Sequence, residues 1–154
     1  MSTLRVHEVA DGAAWEAVRT IRQRVFVDEQ GCPPEEEWDA HDWPEDQGRT
    51  CCHLLGEEDG RPVAASRWRP VRSASGTEWA KLERFAVLPE ARGHGHGRAM
   101  VEATMASARA TGHDRLMLSA QTYLEDFYAG WGFRPRGEVF WEAGIPHVKM
   151  TLED

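Results

Sequence analysis

The 154-residue chain has only three cysteines, Cys32, Cys51 and Cys52. An odd number with two adjacent builds no disulfide framework, and no Cys-x-x-Cys spacing is available for a metal. A reducing, cytoplasmic compartment is the expectation from that usage. No apolar run approaches the roughly 18 residues that span a bilayer, so no membrane partner is expected. The opening residues MSTLRVHEVA lack the apolar stretch of a secretion signal. Lysine is scarce as well: Lys81 and Lys149 stand against sixteen arginines, a bias that by itself carries no functional reading. Bases are not clustered along the sequence and the net charge is −8, so nucleic acid is not an expected partner.

The chain does have a localised excess of acid. Residues 28–48 hold nine carboxylates and no Lys or Arg, and without that segment 17 acids remain against 18 bases. Length and a hydrophobic content of 41% fit one domain spanning 1–154 with a real core. The acidic segment contains Gly31, Pro33, Pro34 and Pro44 and reads as a long loop with one helical turn near 36–40. Loops of that length in a small domain are usually functional or disordered. Trp38 and Trp43 argue against disorder.

Residues 3–9 alternate imperfectly and read as a strand. Asp11 is a candidate N-cap for a helix over about 12–26, where Trp15, Val18, Ile21 or Arg22, Val25 and Phe26 recur at helical spacing. Three strand-like runs follow at 50–57, 62–72 and 78–88, separated by Gly60 and by Ser75-Gly76. A helix is expected over about 96–111, with Val101, Met105 and Ala108 as its buried stripe and Gly112 as its stop. A strand at 115–120, a short helix at 123–131 and a hairpin at 134–151 complete an α+β domain around one mixed sheet.

The most informative stretch runs from Leu82 to Arg98, through Phe85-Ala86-Val87-Leu88-Pro89 and then Arg92-Gly93-His94-Gly95-His96-Gly97-Arg98. It reads as strand, tight glycine turn and helix. Backbone N–H groups at a helix N-terminus lack intrahelical partners, and glycines allow close approach to them, so the turn is a candidate anion site. It is not a Walker A loop, and the glycine spacing is not G-x-G-x-x-G. From spacing alone, a ligand-free glycine turn is also open. His94 and His96 invite a metal reading as His-x-His, but no further ligand accompanies them, and no metal is expected.

Arg92-x-x-Gly95-x-Gly97 resembles the Gln/Arg-x-x-Gly-x-Gly/Ala signature of the GNAT-type N-acetyltransferases. The preceding Phe85–Pro89 run is similar to the end of that family's fourth strand. Leu116–Gln121 followed by Phe127-Tyr128-x-x-x-Gly132-Phe133 is similar to its fifth strand and following helix. Glu142–His147 with Met150, and Val25–Gln30, resemble the ElaA-like branch more specifically. The resemblance covers nearly the whole chain in the family's order of elements. It implies a single GNAT-type domain with a mixed, mostly antiparallel sheet of six to seven strands and about four helices.

The resemblance further implies acetyl-CoA as cosubstrate and direct attack by a primary amine in a ternary complex. The acceptor would be a small cationic amine or a protein or peptide amine. The pyrophosphate would lie on the amides of Arg92, Gly93, His94, Gly95, His96, Gly97 and Arg98, with the two arginine side chains screening it. Pantetheine would meet the strand edge at Phe85, Ala86 and Val87, near Gln121 and Phe127. The Val87 amide would stabilise the oxyanion. Tyr128 would donate to the departing thiolate. Glu83 or His147 would take the amine's proton, His147 because imidazoles as a class change charge near neutral pH. Among the nine acids, Glu29 with Gln30, then Asp39 and Asp42, would bind a cationic acceptor by electrostatic steering. Monomer and homodimer are both compatible with the resemblance. A non-catalytic CoA-binding sensor or interaction domain on the same fold is the alternative reading.

Overall fold

The computed structural model describes residues 3–153. Its frame is one sheet of seven strands: β1 (Leu4–Glu8), β2 (Cys52–Glu58), β3 (Arg61–Arg72), β4 (Glu78–Val87), β5 (Arg115–Gln121), β6 (Arg134–Glu142) and β7 (Ile145–Glu153). The strands lie in the order β1-β2-β3-β4-β5-β7-β6. Neighbours are antiparallel except β4 and β5, which run parallel. Four α-helices are present among the described residues: α1 (Gly12–Arg22), α2 (Pro34–Glu37), α3 (His96–Ala110) and α4 (Glu125–Ala129). The expected order and type of elements are observed.

Alternation along the strands sorts side chains onto two faces. Ala64, Trp68, Ala80, Leu82, Leu116, Leu118, Val148 and Met150 form one core with Met100, Val101, Met105 and Ala108 of α3. Gly56 permits that contact: a Cβ there would lie 2.9 Å from the Met100 sulfur. On the other face Leu55, Ala65, Ala86 and Leu88 pack against Trp15, Val18, Ile21 and Val25. The side chain of Asp11 accepts the Ala14 N–H at 2.8 Å and starts α1.

Two local departures from the sequence reading matter for the site. The first helix does not continue as a regular α-helix to 26; it widens into a π-helical stretch over Gln23–Glu29, where the Gln30 N–H reaches the Val25 carbonyl at 3.1 Å. The wider turns keep Val25 in the core and carry the coil on to Glu29. The second departure is in β4. Ala65 faces Ala86 and Arg67 faces Glu83, so Arg84 and Phe85 stand together opposite Ser66 as a bulge. Arg84 has φ +61°, a left-handed conformation that costs a non-glycine residue about 1–2 kcal/mol.

Candidate active site

β4 and β5 pair only at Ala80↔Leu116 and Lys81↔Met117. Beyond those pairs the strands part, while β5 stays paired with β7 to its end at Gln121↔His147. The resulting gap opens into a cleft of about 600 Å³. Leu82, Phe85, Leu118, Ser119, Gln121 and Tyr128 line its inner part. Gln30, Glu36, Tyr123, Trp141, Glu142 and His147 line its outer part.

The Leu88 N–H bonds the Val63 carbonyl at 2.9 Å. Antiparallel ladders alternate, so Val87, paired with Ala64, turns its N–H and C=O away from β3 and toward the gap. Its carbonyl is taken by Arg92 Nε, which donates at 2.9 Å. The Val87 N–H is left for a ligand in the gap.

At the gap's end the chain passes through a short turn at Pro89–Ala91 and enters α3. Gly93 and Gly95 have φ of +86° and +81°, and Gly95 is the N-cap of α3. A Cβ at Gly93, Gly95 or Gly97 would meet nothing within 4 Å, so the backbone there is open to a ligand. These are the features a pyrophosphate requires: bare N–H groups, the positive end of a 15-residue helix and no side chain in the way. The loop therefore fits the cosubstrate.

Of the two arginine side chains, Arg92 is not free to screen phosphates as expected. Arg92 is held bidentately by Glu29, at 2.7 Å for each bond, in addition to its bond to Val87. Arg98 lies over the Trp131 and Phe127 rings, at 4.8 and 5.8 Å from their centroids. His96 is buried and its Nε2 lies 2.7 Å from Glu58. Among the described residues no group of three or more His, Cys, Asp or Glu is arranged for a metal.

Tyr128 lies across the gap from Phe85, with ring centroids 6.3 Å apart, in an aromatic set with Phe127, Trp131 and Phe133. Burial, with a smaller contribution from Tyr123, raises its phenol above the usual value and keeps it protonated as a donor.

The two base candidates sit in different environments. Burial alone would raise the Glu83 carboxyl, but Arg67, Arg69, Arg84 and Lys81 together hold it down to about 2. Its oxygens lie 2.6 Å from Arg67, 3.0 Å from Arg69 and 3.6 Å from Lys81. A carboxylate so held is a weak base. The His147 Nδ1 lies 2.7 Å from the Ile145 carbonyl, which accepts only if that nitrogen carries the proton. Nε2 then keeps its lone pair, and the Glu142 carboxylate lies 3.7 Å from it. Ala143 and Gly144 form the two-residue turn, with φ of +51° and +76°, that folds Glu142 back beside His147. Glu142 was not singled out as a site residue in the sequence, although a strand–Ala-Gly–strand pattern was available to suggest this placement.

The acidic segment faces the cleft through Glu36 and Glu37 and not through the acids singled out for the acceptor. Gln30 lines the cleft, but Glu29, Asp39 and Asp42 do not. Asp42 is buried and bonds Arg22 at 2.6 and 3.2 Å and Arg67 at 2.9 Å. Asp39 also bonds Arg67, and that arginine outweighs partial burial to hold the Asp39 carboxyl well below the usual range. Glu37 is buried against Arg22 and lies 3.2 Å from Arg84. The physical reason is desolvation: Arg22 and Arg67 are each 1% exposed, and buried guanidiniums demand carboxylates. Four of the nine acids are therefore committed to arginines from outside the segment, Arg22, Arg67, Arg84 and Arg92.

The Acetyltransferase (GNAT) domain family matches residues 45–154. A Bacillus subtilis protein bearing the name of a candidate acetyltransferase is 37% identical over 134 residues, 87% of this chain and 86% of its own length. Escherichia coli ElaA is 33% identical over 138 residues, 89% of this chain and 86% of its own length. Its crystal structure superposes with a TM-score of 0.81, covering 99% of this chain and all of that one. An acyl-CoA N-acyltransferase of Pseudomonas aeruginosa, 30% identical, superposes at 0.79 over 98% of this chain and 99% of its own.

Proposed function

Because the chain belongs to the GNAT acetyltransferases, in their ElaA-like branch, we propose that it transfers the acetyl group of acetyl-CoA to a primary amine in the β4–β5 cleft. One observation carries this reading. Tyr128 lines the β4–β5 gap, the Val87 N–H is turned toward it, and the open glycine turn into α3 follows the end of β4.

The glycine loop holds the pyrophosphate through N–H groups of 93–98, with the α3 dipole adding to the attraction. The strand edge at Phe85–Val87 receives the pantetheine arm. The Val87 N–H donates to the thioester oxygen, and that bond strengthens as the amine attacks and charge develops there. The amine nitrogen forms the new C–N bond while the C–S bond breaks. His147 Nε2 accepts the amine's proton, directly or through a water, and Glu142 stabilises the resulting imidazolium. Tyr128, held protonated by its burial, donates a hydrogen bond to the leaving thiolate, and the proton the amine gave to His147 returns to that sulfur through water, so neither side chain is consumed. The products are an N-acetyl amide and CoA thiol.

The outer cleft has four carboxylates, Glu36, Glu37, Glu83 and Glu142, against Lys81 and Arg84. Glu37 and Glu83 are already paired, so Glu36 and Glu142 remain to attract an ammonium before it loses its proton. Purified protein assayed for amine-dependent CoA thiol release, with the acetylated product identified by mass, tests the reading. Release that depends on the amine supports it, and release with every amine absent from the product would refute it.

A further inference from the structure

A second groove, of about 620 Å³, lies on the same sheet face as the cleft, and Lys81 lines both. Its charged walls are Arg69 and Arg72 from β3, Lys81 from β4, Arg115 from β5 and Lys149 from β7, with Glu153 as the one acid. Five cations against one carboxylate give a local charge of +4 on a chain of net charge −8. The chain has two lysines, and both are here.

The internal pairing of these cations leaves charge over. Arg69 and Lys81 share Glu83 with the buried Arg67, three cations on one carboxylate. Arg115 has Glu153 at 3.3 Å and Arg72 has Glu78 at 3.6 Å. Lys149 has no ion-pair partner among the described residues. These bases come from four strands, β3, β4, β5 and β7, which the strand order brings side by side.

The groove's distance from the site follows from strand geometry. On β7, Lys149 is two residues from His147 and on the same face, on the order of 7 Å along the strand. Ser119, paired with Lys149, lines the cleft, and Met117, two residues on, lines the groove. A small molecule with its amine at His147 therefore reaches Lys149 without leaving the sheet face.

Resting on the transferase reading, we propose that the groove is an acceptor subsite for an anionic group, a carboxylate or a phosphate. The acceptor class is then a primary amine carrying such an anion about one residue's length or two away. The Glu36 and Glu142 end receives the ammonium and the Lys149 end receives the anion, which fixes the acceptor's direction in the cleft.

The test uses matched amines with acetyl-CoA: a short peptide with a free carboxylate against its amide, and an aminoalkyl phosphate against the corresponding amino alcohol. The anionic member of at least one pair is expected to show a KM about tenfold lower. Lys149→Glu should abolish that ratio, and Lys149→Met, which keeps the aliphatic stem, should reduce it. The two pairs distinguish carboxylate from phosphate. Calorimetry of the same pairs on CoA-loaded protein reads the groove independently of turnover. Equal KM and equal affinity within both pairs would overturn the subsite. Anion-dependent binding lost in Lys149→Glu, with no acetyl transfer to any amine, would overturn the transferase reading and leave the anion site standing.

Discussion

Glu29 grips Arg92 with both carboxylate oxygens, at 2.7 Å each, and Arg92 in turn holds the Val87 carbonyl at 2.9 Å. The pair joins the π-helical end of the first helix to the glycine loop, and Arg24 with Glu90 makes a parallel bidentate pair beside it. Its far end fixes the carbonyl of Val87, the residue whose N–H faces the gap. Glu29 therefore sits against the glycine loop and outside the lining of the cleft.

Glu29→Gln should accordingly lower kcat/KM for acetyl-CoA about threefold and leave the acceptor KM unchanged. The modest size follows from the pair's exposure, since such pairs contribute up to about 1 kcal/mol. Steady-state kinetics with each substrate varied in turn reads the split. A raised acceptor KM with an unchanged acetyl-CoA term would return Glu29 to the acceptor site.

Tyr128→Phe keeps the aromatic set and removes the hydrogen-bond donor. The expected loss is about a hundredfold in kcat with little change in acetyl-CoA affinity. Stopped assays on the variant, beside a CoA-binding isotherm, check both halves.

His147 and Glu83 should separate by variant. His147→Gln should lower kcat and leave acetyl-CoA affinity unchanged. Glu83→Gln should instead act on stability, because Arg67 is buried and loses a partner, at a cost of about 3 kcal/mol. Its pH dependence has a definite sign. The folded carboxyl is held down to about 2 against an ordinary 4.5, so the unfolded chain takes up the proton first as pH falls. Stability of about 3 kcal/mol is present above about pH 4.5 and lost as pH drops through about 2. Denaturant titrations at about pH 7 and about pH 3 should show about 2 kcal/mol of that loss in the native chain and a reduced loss in Glu83→Gln.

Arg84 offers a test of the bulge. Its guanidinium donates to the Glu37 carbonyl at 3.1 Å, which ties the strained residue to α2. Arg84→Ala keeps the unfavourable backbone and loses the tie; Arg84→Gly loses the tie and relieves the backbone. The glycine variant should be more stable than the alanine variant by about 1 kcal/mol. Thermal unfolding of the two proteins side by side measures it.

The glycine loop and the element order were legible because both are written in local sequence: turn residues, helical spacing and strand alternation. Gly93, Gly95 and Gly97 announce an open backbone wherever they occur between a strand and a helix. The acidic segment was not legible in the same way. Asp42 and Glu37 read as solvent or substrate groups until Arg22, 15 to 20 residues away, and Arg67, 25 residues from Asp42, are brought onto them. Glu29 meets Arg92 across 63 residues. Nothing in the local pattern says which carboxylate will be spent on a buried guanidinium. The basic groove was hidden for the same reason, since its five cations come from four strands.

The central claim is that this gap performs acetyl transfer, and amine-dependent release of CoA thiol from acetyl-CoA tests it most directly. Purified protein should release thiol with at least one primary amine of a panel that includes the anion-bearing pairs, and Tyr128→Phe should lose most of that release. Tight CoA binding without amine-dependent thiol release from any member of the panel would contradict the account and mark the chain as a CoA-binding domain without chemistry.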